Sequence, residues 1–312
     1  MKHAILIGSA VLCLAQLGIS INVVTTKFLL DTMPMFMVLS CRFFVSTVLL
    51  GLLLKFSGTP FADPHHPQKK LTKQDWVLTI LEGICGAFLF NLFFAWGLQH
   101  TTATAAGIVG STLPAIIAIC AAWMLKEQLQ TAKIVGLVIA MLGILIINID
   151  HIGGESTNAG HSFFGDLLVF VAMFPEAWYS IIRRKLAHRV TALGSAFLAN
   201  LVGFVTLFPC ALITGTFEFR MLEGWEAGLI AIAGSSALIF FWGWGWGLRF
   251  IPASTAAIFG GIMPLGTTIL AVLFLGEIIH WYDAIGMLLV LISIPIGTGI
   301  GISLRKARAT AN

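Results

Sequence analysis

The chain has 312 residues, of which 58% are hydrophobic and only 10% are charged, and its mean hydropathy is +0.96. A soluble domain carries about 25% charged residues, so this composition excludes an ordinary soluble protein and indicates a helical membrane protein. The net charge of +4 is therefore no sign of a nucleic-acid-binding protein, and we expect no nucleic-acid partner.

Apolar runs of about 20 residues, the length that a helix needs to cross a bilayer, recur along the whole chain. We predict ten transmembrane helices, over residues 4–29, 35–56, 75–98, 102–125, 131–149, 163–185, 192–214, 224–248, 254–275 and 281–303. The runs are continuous rather than alternating, which argues against a β-barrel. The linkers are too short to fold as domains, so the function must reside within the helices.

The five cysteines are scattered over five predicted helices and form no CxxC pair. This spacing indicates neither a disulfide framework nor a zinc site. We therefore expect ordinary buried thiols, no metal site and no cofactor.

The basic residues indicate an orientation. If the N-terminus is cytoplasmic, nearly all Lys and Arg residues fall on the cytoplasmic side, including Arg183. Only Lys27 and Arg220 remain on the far side, and Arg42 lies within a predicted helix. Cytoplasmic loops carry an excess of Lys and Arg, so we predict that both termini are cytoplasmic.

Residues 96–136 recur as residues 246–286, with each shared residue displaced by 150 positions and no gap. Trp96 and Trp246 are one such pair, and Pro114 and Pro264 are another. We therefore predict two related units, residues 1–150 and 151–312, with five helices each. Because five is odd, the second unit enters the membrane from the opposite side, as in the inverted repeats of secondary transporters.

The repeated residues resemble the EamA domain of the drug/metabolite transporter superfamily. They are Gly110, Pro114, Glu127, Gly136 and Gly143 in the first copy, and Gly260, Pro264, Glu277 and Gly286 in the second. The second copy departs from the pattern at Ser293, where the first has Gly143. The resemblance implies a ten-helix bundle with a central cavity that exports small metabolites, often amino acids, across a bacterial inner membrane.

Pro114 and Pro264 are candidate gating residues. A proline removes a helix hydrogen bond and can kink or break its helix, which frees carbonyl groups to face a cavity. The alternative is a static kink that serves only packing.

Ionisable residues within a membrane are expensive and point to function. Arg42 could hold a carboxylate in bidentate fashion, and Glu176 could hold an ammonium group. Glu176 and Glu82 are the candidates for taking up a proton. The alternative is that each residue pairs with a neighbour and only stabilises the bundle, an interpretation that suits Glu82 best.

Amide and aromatic side chains complete the predicted substrate site. Gln16 and Asn91 are the amides that we place nearest the cavity, although such groups often serve only to join helices. Trp242, Trp178 and Tyr179 could form a wall for a flat or cationic ligand. Their alternative role is packing or contact with lipid.

The sequence thus predicts a secondary active transporter that exports a small metabolite, such as an amino acid, across the inner membrane by alternating access. Efflux of organic cations or drugs, and metabolite uptake, are the alternatives. An enzyme is disfavoured, because the chain offers neither a folded loop nor a convincing catalytic constellation. The expected partners are a small-molecule substrate, a proton as candidate coupling ion, and the lipid bilayer. A monomer and a homodimer both fit.

Overall fold

The computed structural model describes residues 2–30, 32–64, 70–100, 109, 112–126, 130–147, 163–215, 223–275 and 281–298. Over these ranges the protein is helical and contains no strand, apart from one isolated antiparallel bridge between Ala62 and Val190. The all-helical class predicted from the sequence is therefore confirmed for these residues.

The helices follow the predicted apolar runs closely. They are α1 (Lys2–Leu30), α2 (Met35–Ser57), α3 (Lys73–Gly83), α4 (Phe90–His100), α5 (Leu113–Met124), α6 (Thr131–Ile147), α7 (Phe163–Leu186), α8 (Ala192–Ile213), α9 (Gly224–Gly247), α10 (Ala253–Phe259), α11 (Ile262–Leu275) and α12 (Trp281–Thr298). A π-helical turn, Ile84–Leu89, connects α3 to α4.

Five helical stretches are long and apolar enough to cross a membrane: Ile5–Thr26, Met35–Ser57, Lys73–Gly97, Ala192–Ile213 and Gly224–Gly247. Shorter apolar helical stretches cover Leu113–Met124, Thr131–Gly143 and Ala284–Ser293. These features fit a membrane protein. The arrangement as ten spans in two inverted repeats stays a prediction.

The two repeated prolines lie in the first turn of a helix rather than in mid-helix. Pro114 follows Leu113 at the start of α5, and Pro264 is the third residue of α11. The first N–H groups of a helix have no intrahelical acceptor, so a proline there costs no hydrogen bond. In the second half the break itself is visible, because α10 ends at Phe259 and the Gly260–Gly261 turn precedes α11. The prediction of one continuous helix over residues 254–275, with Pro264 near its middle, is therefore wrong, whereas residues 101–108 and 110–111, before Pro114, lie outside the described part of the chain.

The first helices of the two halves, α1 and α7, pack in a corresponding way, because each contacts helices of the opposite half. The α1 helix packs against α9 and α11, and α7 packs against α4 and α5. Further pairs also join the halves, among them α2 with α8, α5 with α10, and α6 with α12. In α9, Gly247 allows the closest approach to α1, since a Cβ there would lie 2.5 Å from Cδ2 of Leu12.

Candidate functional site

Arg42 is the central polar group of the bundle interior. It lies on α2, about 10 Å along the axis from the first residue of that helix, and its side chain is almost fully buried, at 6% exposure. Its Nη1 donates to Oδ1 of Asn22 at 2.6 Å, and its Nη2 donates to Oδ1 of Asn91 at 2.9 Å. No carboxylate pairs with this guanidinium among the described residues, and its Nε–H has no acceptor there.

The two amides that hold Arg42 are themselves fixed by backbone carbonyls. Nδ2 of Asn22 donates to the carbonyl of Ala233 on α9 at 2.8 Å. Nδ2 of Asn91 donates to the carbonyls of Gly86 and Ala87, at 3.2 and 2.9 Å, within the π-helical turn. The guanidinium is therefore positioned by three helices and by a turn type that often occurs at functional sites.

Glu82 lies in a second polar cluster, in which its carboxylate has partners from the protein itself. Ser195 Oγ lies 2.7 Å from both oxygens of the Glu82 carboxylate, and Nη1 of Arg183 approaches it to 3.8 Å. Nη2 of Arg183 donates to the carbonyl of Val190 at 2.9 Å. Although the sequence places Arg183 with the cytoplasmic cations, its side chain is buried in the last turn of α7. The Glu82 carboxylate compensates its charge and the Val190 carbonyl accepts from Nη2, while Nε and Nη1 have no hydrogen-bond acceptor among the described residues.

Glu176 has a different environment from Glu82. Its side chain is partly exposed, and no described residue forms a hydrogen bond or an ion pair with it. Tyr179 follows three residues later, on the same face of α7. The Glu176 carboxylate lies close enough to interact electrostatically with the Tyr179 hydroxyl and the Cys85 thiol.

Contacts connect Arg42 to Tyr179 by two routes. On one side, the Arg42 guanidinium carbon lies 4.5 Å from the centre of the Phe43 ring. The Phe43 and Phe241 rings are 6.3 Å apart, and those of Phe241 and Tyr179 are 5.6 Å apart. On the other side, Gly86 packs directly against the Tyr179 ring. The structure thus brings Arg42, Asn91 and Tyr179 into one interior region.

The two predicted tryptophans lie elsewhere. The side chains of Trp178 and Trp242 are 41% and 45% exposed, and neither forms an aromatic contact or a hydrogen bond with the other candidates in the described parts of the chain. The interior rings of α9 are instead Phe241 and Trp244, and Nε1 of Trp244 donates to Oγ of Ser180 at 3.2 Å. The sequence analysis missed them because it did not assign the α9 residues to helix faces.

Gln16 lies on α1, which packs against the helix that follows the break in the second half. Its side chain is 5% exposed, and no described residue forms a hydrogen bond with its amide. One turn further along α1, Oγ of Ser20 donates to the carbonyl of Met263 at 2.9 Å. This carbonyl directly precedes Pro264, so α1 and the start of α11 are joined at the broken helix.

Two ion pairs cross between the halves at one end of the bundle, where α2, α7 and α9 end and α3 and α8 begin. Nη2 of Arg249 donates to Oδ2 of Asp63. Nη2 of Arg189 donates to Oδ2 of Asp75 at 2.8 Å, and Nε of Arg189 lies 2.6 Å from Oδ1 without forming a hydrogen bond. We refer to these four side chains as the loop clamp.

Backbone contacts support the loop clamp. The N–H of Asp63 donates to the carbonyl of Arg189 at 2.8 Å, and the N–H of Thr191 donates to the carbonyl of Phe61 at 2.9 Å. His188 lies beside them, and partial burial together with the positive charges of Arg184 and Arg249 lowers its pKa. This end of the bundle is closed across the two halves.

The described residues contain no group of three or more His, Cys, Asp or Glu side chains that could hold a metal ion. All five cysteines are free thiols. The candidate site is therefore built from a guanidinium, carboxylates, amides and aromatic rings, which suit the binding of a small polar molecule.

Relatives of the chain point the same way. It is 27% identical over 269 residues to YetK, an uncharacterized transporter of Bacillus subtilis, covering 85% of this chain and 79% of the relative. It is 21% identical to the uncharacterized inner membrane transporter YhbE of Escherichia coli, over 69% of this chain and 65% of the relative. A solved crystal structure has the same fold, with a TM-score of 0.76 and 19% identity, covering 95% of this chain and 98% of that one.

The EamA-like transporter family matches the chain twice, over residues 6–149 and again over residues 163–296. Together the two matches cover most of the chain, and the resemblance seen in the sequence is confirmed. The chain therefore belongs to the EamA-like transporter family, and it is a membrane transporter and not an enzyme.

Proposed function

We propose that this protein is a secondary active transporter that exports a small carboxylate-bearing metabolite, such as an amino acid, across the inner membrane. The Arg42 guanidinium carries this proposal, because it is a buried cation that no described carboxylate neutralises. A buried charge without a partner is costly. A substrate carboxylate would supply the missing anion and accept the Nε–H of Arg42 in a charge-assisted hydrogen bond.

Glu176 supplies the complementary group. Its carboxylate is deep in α7 and lacks a partner among the described residues, whereas that of Glu82 is held by Ser195 and Arg183. We assign Glu176 to the substrate ammonium or to the coupling proton. Glu82 remains the second proton candidate, although its two partners favour a structural role.

Alternating access would use two inverted five-helix repeats, residues 1–150 and 151–312. The matched packing of α1 and α7 supports this division. The loop clamp joins the repeats at one end and would have to open in each transport cycle. The helix starts at Pro114 and Pro264 are the proposed hinges, because the α-helical hydrogen bonding is interrupted at the Gly260–Gly261 turn, just before Pro264.

The orientation and assembly follow from the charge distribution and from the repeat. The excess of Lys and Arg at the loop-clamp end supports a cytoplasmic location for that end and for both termini. Two repeats in one chain could enclose a substrate path without a second copy, so we propose that a monomer suffices.

Transport by purified protein in proteoliposomes tests this function. Candidate metabolites are first screened by the thermal stability of the protein in detergent, since a bound ligand stabilises it by mass action. The confirmed substrate should then move through wild type and not through Glu176→Gln. Normal transport by Glu176→Gln would remove this carboxylate from the mechanism.

Export of organic cations is the second candidate, favoured by the aromatic residues Tyr179 and Phe241 and by Glu176, which has no hydrogen-bond or ion-pair partner among the described residues. The two candidates differ at Arg42. Arg42→Gln should abolish transport of a carboxylate-bearing substrate but spare the efflux of a cation. Liposomes loaded with substrate on one side only decide between export and uptake.

A further inference from the structure

A cleft of about 160 Å³ opens on the outer surface of the bundle and reaches Cys85 of the π-helical turn. It lies between α3, the end of α5 and α7. One wall carries Leu78 and Leu81 of α3, and Leu125 closes the cleft beside α5. Leu81 is exposed at the surface, so the cleft would face the bilayer rather than the substrate path.

The opposite wall is a single face of α7. Trp178, Ile181 and Lys185 line it, and they recur at helical spacing. Seven residues separate Trp178 from Lys185, so the wall extends about 10 Å along the helix axis. It is apolar along its length and ends in an ammonium group.

A second lysine stands at the same end. Lys126 follows Leu125 directly, is exposed, and has a positive φ of 54°. In the described structure, neither Lys126 nor Lys185 has a hydrogen-bond or ion-pair partner. Lys185 therefore lines one end of a narrow apolar cleft, and Lys126 directly follows the lining residue Leu125.

We infer that this cleft is a binding site for an anionic phospholipid. An acyl chain would lie along the leucine and isoleucine side chains, with the ring of Trp178 at the deep end. The phosphodiester would lie between Lys185 and Lys126, where basic residues at a membrane surface attract anionic headgroups. A zwitterionic lipid carries no net charge to match the two ammonium groups, so the site selects for charge.

Lipid binding to the full-length protein in detergent tests the inference. Native mass spectrometry would compare phosphatidylglycerol with phosphatidylcholine of identical acyl chains. Phosphatidylglycerol should bind more tightly to wild type. Lys185→Gln should weaken phosphatidylglycerol binding about fivefold. The double variant, Lys126→Gln with Lys185→Gln, should weaken this binding about 30-fold. Lys55→Gln is the matched control, because Lys55 is an exposed lysine in the last turn of α2 that does not line the cleft.

Two further experiments identify which part of the lipid the site recognises. Leu81→Trp should fill the cleft and reduce phosphatidylglycerol binding while both lysines remain. Inorganic phosphate at millimolar concentration should not displace the lipid, because it has no acyl chain. Equal binding of the two lipids, equal effects of Lys185→Gln and Lys55→Gln, or displacement by phosphate would each overturn the assignment. The thermal stability of each variant in phosphatidylcholine shows that the fold is retained.

Discussion

Two buried arginines in the described part of the bundle are in opposite situations. Arg183 lies against the Glu82 carboxylate and donates to the carbonyl of Val190, so its charge is compensated from within the protein. Arg42 is held by the neutral amides of Asn22 and Asn91, and no described carboxylate pairs with it, although both arginines have a buried Nε–H without an acceptor. What separates a structural arginine from a substrate-binding arginine is therefore the partner of its guanidinium and not its burial.

Loss of Arg183 should have the largest effect on stability. Arg183→Met leaves the Glu82 carboxylate buried without its counter-charge, which should cost about 3–5 kcal/mol of unfolding free energy. Denaturant unfolding in detergent measures this. Adding Glu82→Gln should recover part of the loss. If the double variant is no more stable than Arg183→Met, the pair does not act as a unit.

Loss of Arg42 should act on substrate binding more than on the fold. Arg42→Gln should weaken the binding of a carboxylate-bearing substrate by roughly 3 kcal/mol, about 100-fold in affinity. Arg42→Lys should weaken it less, because it keeps the charge but loses the planar fork that reaches both amides. The substrate concentration that gives half-maximal transport in proteoliposomes measures the effect of both variants. An unchanged value for Arg42→Gln would make Arg42 as structural as Arg183.

The loop clamp offers an intermediate case, since its arginines are partly exposed. Asp63→Asn should weaken the pair with Arg249 by about 1–2 kcal/mol. The amides of Asp63 and Thr191 should then exchange with solvent roughly tenfold faster. Hydrogen exchange with mass spectrometry measures this, with Lys55→Gln as the control. Unaltered exchange would show that the backbone bridge alone closes this end.

The amide cradle of Arg42 can be tested without touching the arginine. Asn22→Ala removes the 2.6 Å acceptor and should weaken substrate binding by about 1 kcal/mol, roughly fivefold. Asn200→Ala is the matched control, because Nδ2 of Asn200 bonds within its own helix to Ala196. Equal effects of the two variants would indicate a general loss of packing.

His188 gives the smallest effect. Its lowered pKa means that the unfolded chain binds a proton more readily than the folded protein. Stability is therefore complete above the ordinary pKa of about 6.5 and declines as the pH falls below it. The melting temperature of wild type should drop more between pH 7.5 and 5.5 than that of His188→Asn. Parallel curves would assign acid sensitivity to other groups.

Helix positions could be predicted from the sequence because apolar run length determines them directly. The interior position of Arg42 followed from its place within a run, and its contact with Asn91 joined two residues already selected. The orientation of side chains could not be predicted in the same way. Trp242 and Trp244 are two residues apart, yet one is largely exposed and the other is nearly buried. Glu82 and Glu176 likewise differ in their surroundings, because Ser195 and Arg183 contact the Glu82 carboxylate. Both residues are distant from Glu82 in sequence.

The π-helical turn Ile84–Leu89 makes the Arg42 cradle dependent on chain length. Each residue of an α-helix advances the side-chain direction by about 100°, and a π turn accommodates more residues per turn than an α turn. A deletion of one residue in this segment would let the helix become regular, because the wide turn holds the extra residue, and α4 would keep nearly the same orientation relative to α3. Nδ2 of Asn91 would then lose the wide-turn carbonyl of Gly86 that helps to fix it, while Glu82 and its partners stayed in place. A single-codon deletion could thereby uncouple substrate recognition from the structural cluster.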